Sequence, residues 1–262
     1  MNYITLAPVR PSAGVAANYT KRLDALIREM QADIRRAVLP DYDEQAFAKD
    51  ASPVETLVET MRGLRRKWLS RFDTLAPELA TYFTTSMHER SDTQLRNILR
   101  RGGMSVKFQL TQSQASILQA TVHENVSLIT NIASEHIAGI EQLVMRSVTA
   151  GRDQASLVNG LQKRYGMTRK RAAFIARDQN NKATGALQAN RQAELGLQAV
   201  WRHSGGDKYP RPTHKANNGK LYDPKVGWLD PAVGHHIQVG ELIGCTCVSN
   251  SVIFPERFKQ AK

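Results

Sequence analysis

The residues of this chain that are best suited to bind a metal lie near its C-terminus. Cys245 and Cys247 are its two cysteines, and a single residue separates them. A tetrahedral zinc site takes four ligands, so histidines would have to complete the set. The candidates among the late histidines are His203, His214, His235 and His236. If a structural zinc site forms here, its ligands would include His214, Cys245 and Cys247.

The alternative to zinc is simple packing. The two cysteines are too close in sequence for an unstrained disulfide, and an intracellular protein keeps its thiols reduced. The pair would then pack near a turn, while His214 forms local hydrogen bonds that organise the loop at Asn218-Gly219. The residues alone leave both alternatives open, and we predict no other cofactor.

The same region also permits an enzyme. His203 or His214 could act as a base, with Lys215 or Lys220 stabilising a phosphorane, as in a metal-independent ribonuclease. A Cys/His nucleophile pair is conceivable too, but no acid that would orient the histidine is evident in the sequence. We predict a non-enzymatic protein and keep the nucleic-acid-cleaving enzyme as the alternative.

A basic stretch precedes these residues. Residues 151–200 carry nine basic and three acidic side chains, and the chain has a formal net charge of +12. Basic residues in the first turn of a helix predicted at 168–195 would oppose the helix dipole, which favours an anionic partner such as phosphate. The alternative is a solvated helix surface. The predicted nucleic-acid-binding residues are Arg169, Lys170, Arg171, Arg177 and Lys182.

The composition favours a helical scaffold for these residues. Of the 262 residues, 41% are hydrophobic but only 6% are aromatic, which is typical of helices built on aliphatic side chains. The sequence contains no run of eighteen apolar residues, so it predicts no membrane span. The N-terminal residues do not resemble a secretory signal. The motifs of dinucleotide-binding proteins, P-loop NTPases, zincins and α/β-hydrolases are absent from the sequence.

Capping signals divide the first part of the chain into helices. N-cap signals begin at Ser52, Ser91 and Thr111, and glycines such as Gly151 and Gly166 stand where helices would end. The helices are predicted near 15–38, 53–88 (bent or broken at Pro77), 91–101, 111–149, 152–165 and 168–195.

The helix predicted at 111–149 has the most regular apolar stripe. Its members recur with an eleven-residue repeat, which keeps one stripe on a nearly straight helix. They are Leu118, Val122, Val126, Ile129, Ala133, Ile137, Ile140, Val144 and Val148. The stripe predicts core packing, and His123 and His136, which lie off it, are predicted to be ordinary residues of the polar face.

Turn residues and short strand-like segments replace the long helices after Gly196. Strands are predicted at 198–203, 219–222 and 246–254, with turns at Gly205-Gly206 and Asn218-Gly219. The predicted fold is mainly α. Residues 1–150 would form a long-helix body. Residues 151–262 would form a small α+β domain, made of the basic helix and the short strands.

Several segments of the second half, taken together, resemble a known family. In their order and spacing they are similar to the head-morphogenesis domain of the phage Mu F-like minor head proteins, over about residues 168–254. They are Ala176 to Lys182, Arg191, Glu194 to Gly196, Trp201 to Ser204, Arg211 to His214, Asn218 to Lys220 and Gly240 to Cys247.

The resemblance implies partners and a location. A protein of this family would be a low-copy virion component in the head interior or at the portal vertex, assembled in the host cytoplasm. Its partners would be the portal protein, the major capsid or scaffold proteins and phage DNA, and the resemblance implies that the helical body of residues 1–150 contacts the portal or capsid. Many relatives have Cys-Pro-x-Cys where this chain has Arg211 to His214, and often His-Pro-x-Cys-x-Cys at the end, where Gly240 to Cys247 contains no histidine. These differences favour the packing alternative slightly.

Overall fold

The computed structural model describes residues 3–42, 52–104, 109–150, 154–204 and 210–254. Four long helices dominate the described residues, and short strands follow them, so the fold is mainly α with a small C-terminal α+β part, as predicted. The elements are β1 (Ile4–Thr5), α1 (Ala13–Asp41), α2 (Ser52–Arg101), α3 (Gln112–Thr149), α4 (Gln154–Glu194), β2 (Gln198–Arg202), α5 (Pro212–Ala216), β3 (Leu221–Tyr222), β4 (Trp228–Asp230), β5 (His235–Ile237) and β6 (Val248–Ile253).

Two of the predicted helix breaks are wrong. α2 continues through Pro77, because the buried side chains of Phe72, Ala76 and Ala80 offset the hydrogen bond that a proline removes. It also continues through Ser91, whose buried hydroxyl accepts a hydrogen bond from Arg191 Nη1 at 2.9 Å instead of capping a new helix.

The predicted break at Gly166 is wrong as well. α4 continues past this glycine, and just beyond it the hydroxyl of Thr168 donates to the carbonyl of Arg164, one turn earlier, at 3.1 Å. The cap at Thr111 is confirmed, since its Oγ1 accepts a hydrogen bond from the backbone N–H of Gln114 at 3.2 Å. Gly151, Gly205-Gly206 and the side chains of the predicted Ser52 cap lie outside the described residues.

The chain forms two compact units, and each unit draws on separate stretches of sequence. One comprises the described residues of Met1–Ala16, Tyr82–Val122 and Arg177–Lys262, and the other comprises those of Ala17–Thr81 and His123–Ala176. The functional division at residue 150 stays a prediction. Among the described residues, no helix has both the length and the hydropathy that crossing a membrane requires.

The second unit has a core of aliphatic and aromatic side chains that includes the centre of the α3 stripe. Ile129, Ala133, Ile137, Ile140 and Val144 are buried, as predicted, and the stripe residues outside this central group are half-buried. His123 is exposed, in agreement with its predicted place on the polar face.

The prediction for His136 is wrong, because its ring is buried in the core of this second unit. Its Nδ1 lies 2.8 Å from Thr168 Oγ1, and its Nε2 lies 3.2 Å from Gln31 Oε1. Burial, which is the larger cause, and the nearby positive charge of Arg164 together lower the pKa of His136 to about 4. The neutral ring is thus the stable form within the folded unit.

The first unit contains the strands. β1, β6, β2 and β3 form an antiparallel four-stranded sheet in that order, and β4 pairs with β5 in a separate antiparallel hairpin. Strands are found within each of the three segments where they were predicted. Gly219 takes a φ of +85°, as the Asn-Gly turn signal predicts. β1, β4 and β5 were not predicted, because strands of two or three residues carry too short an alternating pattern.

Candidate metal centre

Two segments of the first unit bring the candidate metal ligands together. His214 lies in α5, Cys245 and Cys247 lie in the loop that leads into β6, and all three are buried. Both cysteines belong to an apolar cluster whose other fully enclosed members include Trp201, at the centre of β2. The ring of His214 contacts the indole of Trp201 edge-on, with centroids 5.2 Å apart. The site therefore lies in the buried core of the small domain.

The ligand atoms converge. The Nδ1 atom of His214 lies 3.5 Å from Cys245 Sγ and 3.6 Å from Cys247 Sγ. One ligand atom from each of these three residues lies within 4.8 Å of the other two. His203, in the segment after β2, is half-buried, and its Nδ1 lies 3.7 Å from Cys247 Sγ. His235 and His236 in β5 are exposed, and the group of mutually close ligand atoms among the described residues includes neither of them, nor His203.

The far side of the His214 ring faces an acid that sequence analysis missed. Asp230 at the end of β4 is fully buried, and its Oδ2 lies 3.3 Å from His214 Nε2. Its other oxygen accepts a hydrogen bond from the backbone N–H of Ala232 at 3.0 Å. No sequence signal identifies Asp230, because only the hairpin of β4 and β5 brings this carboxylate to the histidine. The expectation that no acid orients the histidine of a Cys/His pair is thus corrected.

The electrostatics of the cysteine pair favour a thiolate. The pKa of Cys245 is lowered to about 4, first by its hydrogen bond with Cys247 and also by that with His214, while burial works in the opposite direction. A thiolate is the form of cysteine that ligates metals and acts as a nucleophile.

Helix α4 holds the loop that carries the cysteines. Asp178 accepts a hydrogen bond from the backbone N–H of Gly244 at 2.5 Å, and Asn181 Nδ2 donates to the carbonyl of Cys245 at 3.1 Å. Both side chains are buried. The segment from Ala176 to Lys182, which sequence analysis singled out for its family resemblance, therefore positions the loop directly.

Two glycines allow the close approach of this loop to α4. A Cβ on Gly185 would lie 2.1 Å from the carbonyl oxygen of Val239. Gly240, with a φ of +80°, would place a Cβ 2.7 Å from the carbonyl oxygen of Asn181. Further along α4, Gln192 Nε2 donates to Ser251 Oγ in β6 at 3.0 Å. Backbone packing and buried amides together fix the strands against the helix.

Buried Arg191 anchors the last turn of α4 to α2. Its guanidinium pairs with Asp92, donates to Ser91 and lies 3.2 Å from Nδ1 of His88. Burial lowers the pKa of Arg191, while Asp92 opposes this shift. The sequence placed Arg191 among the residues that resemble the family, but it gave no indication of this ion pair.

The departure from the family pattern at Arg211 has a structural counterpart. Arg211 immediately precedes α5, and its Nη2 donates to the carbonyl of Ile243 at 2.9 Å, in the loop that carries the cysteines. The Asn218-Gly219 turn is held by other contacts, with the backbone N–H of His203 donating to Asn218 Oδ1 at 3.0 Å. The ring nitrogens of His214 face the cysteines and Asp230 instead of this turn.

The structure divides the five predicted nucleic-acid-binding residues between the two units. Arg169 and Arg171 form ion pairs with Asp24 and Glu135 in the second unit. Lys170 beside them is exposed. All three lie within α4 and not in a first turn, so the helix-dipole argument for an anionic partner is wrong.

The remaining two basic residues lie in the first unit. Arg177 is exposed, and half-buried Lys182 lies 3.4 Å from the buried carboxylate of Asp178. Lys182 therefore neutralises the carboxylate that holds the cysteine loop. Lys215 and Lys220, which the nuclease alternative requires, are exposed.

Comparisons with known proteins agree with the resemblance that the sequence suggests. Residues 138–250 match the family model described as "Phage Mu protein F like protein". A protein of Haemophilus influenzae (strain ATCC 51907 / DSM 11121 / KW20 / Rd), described as uncharacterized, is 26% identical over 257 residues. The alignment covers 94% of this chain and 55% of that protein, so the chain spans about half the length of this relative. No solved structure gives a significant match. The predicted resemblance is therefore confirmed: over residues 138–250 the chain is similar to the phage Mu protein F-like family.

Proposed function

We propose that this protein is a minor head component of a phage, that it acts in head assembly, and that it binds the portal protein or the inner surface of the capsid. The family match over residues 138–250 is the observation that carries this proposal. The residues that resemble the family are also those that build the first unit, since Asp178, Asn181 and Arg191 fix α4 to the cysteine loop and to α2. We assign a non-enzymatic role to this domain.

Deletion of the gene from the phage or prophage that encodes the chain tests this function. Particles made without the protein should show a defect in head number, in packaged DNA or in infectivity, and the intact gene supplied in trans should restore them. The Arg191→Gln variant, which removes a buried side chain, should fail to restore them. Arg101→Gln, at an exposed position of α2, serves as its control. Unchanged head number, DNA content and infectivity after deletion would contradict the proposal.

The proposal includes contact with phage DNA through the basic residues of α4. The net charge of +12 supports binding to a polyanion, because each neutralised phosphate releases condensed counterions. Arg169 and Arg171 already pair with carboxylates, so exposed Lys170 should contribute most within that cluster. Binding should depend strongly on salt and little on DNA sequence.

A charge-matched pair of variants tests this contact. Replacing Arg169, Lys170 and Arg171 with Gln should lower the slope of log affinity against log salt by about 0.9 for each phosphate that the protein no longer neutralises. The control replaces three exposed arginines of the same unit with Gln, namely Arg35, Arg36 and Arg66. Equal slopes for the two triple variants would show that net charge alone, and not this cluster, governs binding.

The nuclease alternative receives less support from the geometry. A general base must come within hydrogen-bond distance of the hydroxyl it deprotonates, and His214 is only 2% exposed. Incubation with labelled RNA and DNA, with and without a chelator, separates the two functions. Cleavage that both His203→Gln and His214→Gln abolish would favour the enzyme over the head component.

A further inference from the structure

We propose that the small domain contains a structural zinc site with Cys245, Cys247, His214 and His203 as its four ligands, and that Asp230 orients His214. Nothing in the family match assigns a metal to these residues. The inference rests on the geometry of the site and is independent of the proposed role in the phage head.

The distances from the His214 ring to the two sulfurs match those around a zinc ion. Around a tetrahedral zinc, with Zn–S about 2.3 Å and Zn–N about 2.0–2.1 Å, a sulfur and a nitrogen ligand lie about 3.6 Å apart. His214 Nδ1 lies 3.5 Å from Cys245 Sγ and 3.6 Å from Cys247 Sγ. Two thiols and one imidazole nitrogen thus already stand at the separations that a shared zinc would impose.

The cluster is enclosed by apolar side chains. Cys245, Cys247 and His214 are at most 4% exposed and lie beside the side chains of Trp201 and Val239. Zinc is bound by cysteine as thiolate, and one Zn²⁺ balances the charge of two thiolates, which would otherwise be costly in an apolar core. A zinc ion bound by both cysteines is therefore compatible with this position in the core.

Asp230 supports this arrangement from the other side of the ring. Histidines that bind zinc usually place their second nitrogen against a carboxylate, which fixes the tautomer and the direction of the lone pair. Oδ2 of Asp230 lies 3.3 Å from His214 Nε2, and neither atom has a hydrogen-bond partner among the described residues. Metal binding at Nδ1 would place the proton on Nε2, so both buried atoms would gain a partner.

His203 is the fourth ligand in this proposal. Its Nδ1 lies 3.7 Å from Cys247 Sγ, although His203 is not a member of the group formed by His214, Cys245 and Cys247, so its ring would have to move closer to them on binding zinc. Arg211, which precedes α5, donates a hydrogen bond to the carbonyl of Ile243 and cannot ligate a metal. The metal would tie together the end of β2, α5 and the loop before β6.

Metal analysis of the untagged full chain, purified in reducing buffer without chelator, tests the proposal. About one zinc per chain is expected, and Co²⁺ exchanged into the site should give the intense visible absorption of tetrahedral cobalt with thiolate charge-transfer bands. Far-UV circular dichroism reports whether each variant is folded. Wild-type protein that holds less than a tenth of an equivalent of zinc, and that gives no tetrahedral cobalt spectrum, would overturn the site.

Variants test the individual ligands. Cys247→Ser should abolish the cobalt charge-transfer bands, and His203→Gln should weaken zinc binding at least tenfold, while His236→Ala at an exposed position of β5 should leave it unchanged. Asp230→Asn has the same shape, and it should weaken zinc binding 10–100-fold through the orientation of His214. If His203→Gln binds zinc and cobalt as the wild type does, the assignment of His203 is wrong.

A measurement on the wild-type chain avoids variants that fail to fold. Removal of zinc with a chelator should increase hydrogen exchange within residues 198–254 and leave α1 and α3 protected, because their stability comes from their own packed side chains. Exchange that is unchanged by the chelator would contradict a structural role for the metal.

Discussion

The buried ring of His136 makes the stability of the second unit depend on pH. In the unfolded chain its pKa is near 6.5, whereas in the folded unit burial and Arg164 lower it to about 4. Between these values the unfolded chain takes up a proton that the folded protein does not, so the free energy of unfolding falls as the pH falls. The stabilisation that neutral His136 provides is complete above about pH 6.5 and is lost progressively as the pH falls toward 4. The shift corresponds to about 3 kcal/mol in total.

Urea unfolding followed by circular dichroism, repeated between pH 7.5 and pH 4.5, measures this effect. His136→Gln removes the titrating group and keeps a side chain that can hydrogen-bond to Gln31 and Thr168. The wild type should lose about 2–3 kcal/mol more than the variant over that range. His88, whose pKa burial also lowers, titrates in both proteins, so its contribution cancels in the comparison. Parallel pH profiles for the two proteins would refute the reasoning.

Three further predictions concern packing and a buried charge, and thermal or urea unfolding measures each. Ile140→Asp should lower the free energy of unfolding by more than about 4 kcal/mol, and Val126→Asp should lower it clearly less, since Ile140 is fully buried and Val126 is half-buried. If both variants melt as the wild type does, the α3 stripe lies in solvent. Gly185→Ala should lower the free energy of unfolding by about 1–3 kcal/mol, because its Cβ meets a backbone carbonyl. Gly166→Ala, with open space around it, should stabilise α4 by about 0.5–1 kcal/mol. If Gly185→Ala were stabilising, the loop would not approach α4. Arg191→Gln should cost about 2–3 kcal/mol because half-buried Asp92 loses its cation and the buried hydroxyl of Ser91 loses its donor, and a loss below 1 kcal/mol would contradict the ion pair.

The sequence predicted the parts of the fold that depend on local pattern. The eleven-residue spacing in α3 identified the residues that are buried at its centre, and the Thr111 cap and the Gly219 turn form as their residue types require. The helix breaks at Pro77, Ser91 and Gly166 were predicted wrongly, because local signals for a break are overridden when the helix is packed along its length.

The candidate site was predictable only in its ligating residue types. The cysteine pair and His214 stand out in the sequence as possible ligands, and the structure brings them together. Asp230 and His136 escaped prediction because their importance depends on partners far away in the sequence. A buried polar residue is recognisable only when the contacts that satisfy it are known.

Mass spectrometry of purified particles tests the central claim most directly. Particles of the phage that encodes this chain should contain its peptides together with those of the portal protein, at a much lower abundance than the major capsid protein. The peptides should stay with the particles after a salt wash and nuclease treatment that remove loosely bound protein. Particles that contain portal and capsid proteins but lack every peptide of this chain would contradict its assignment as a head component.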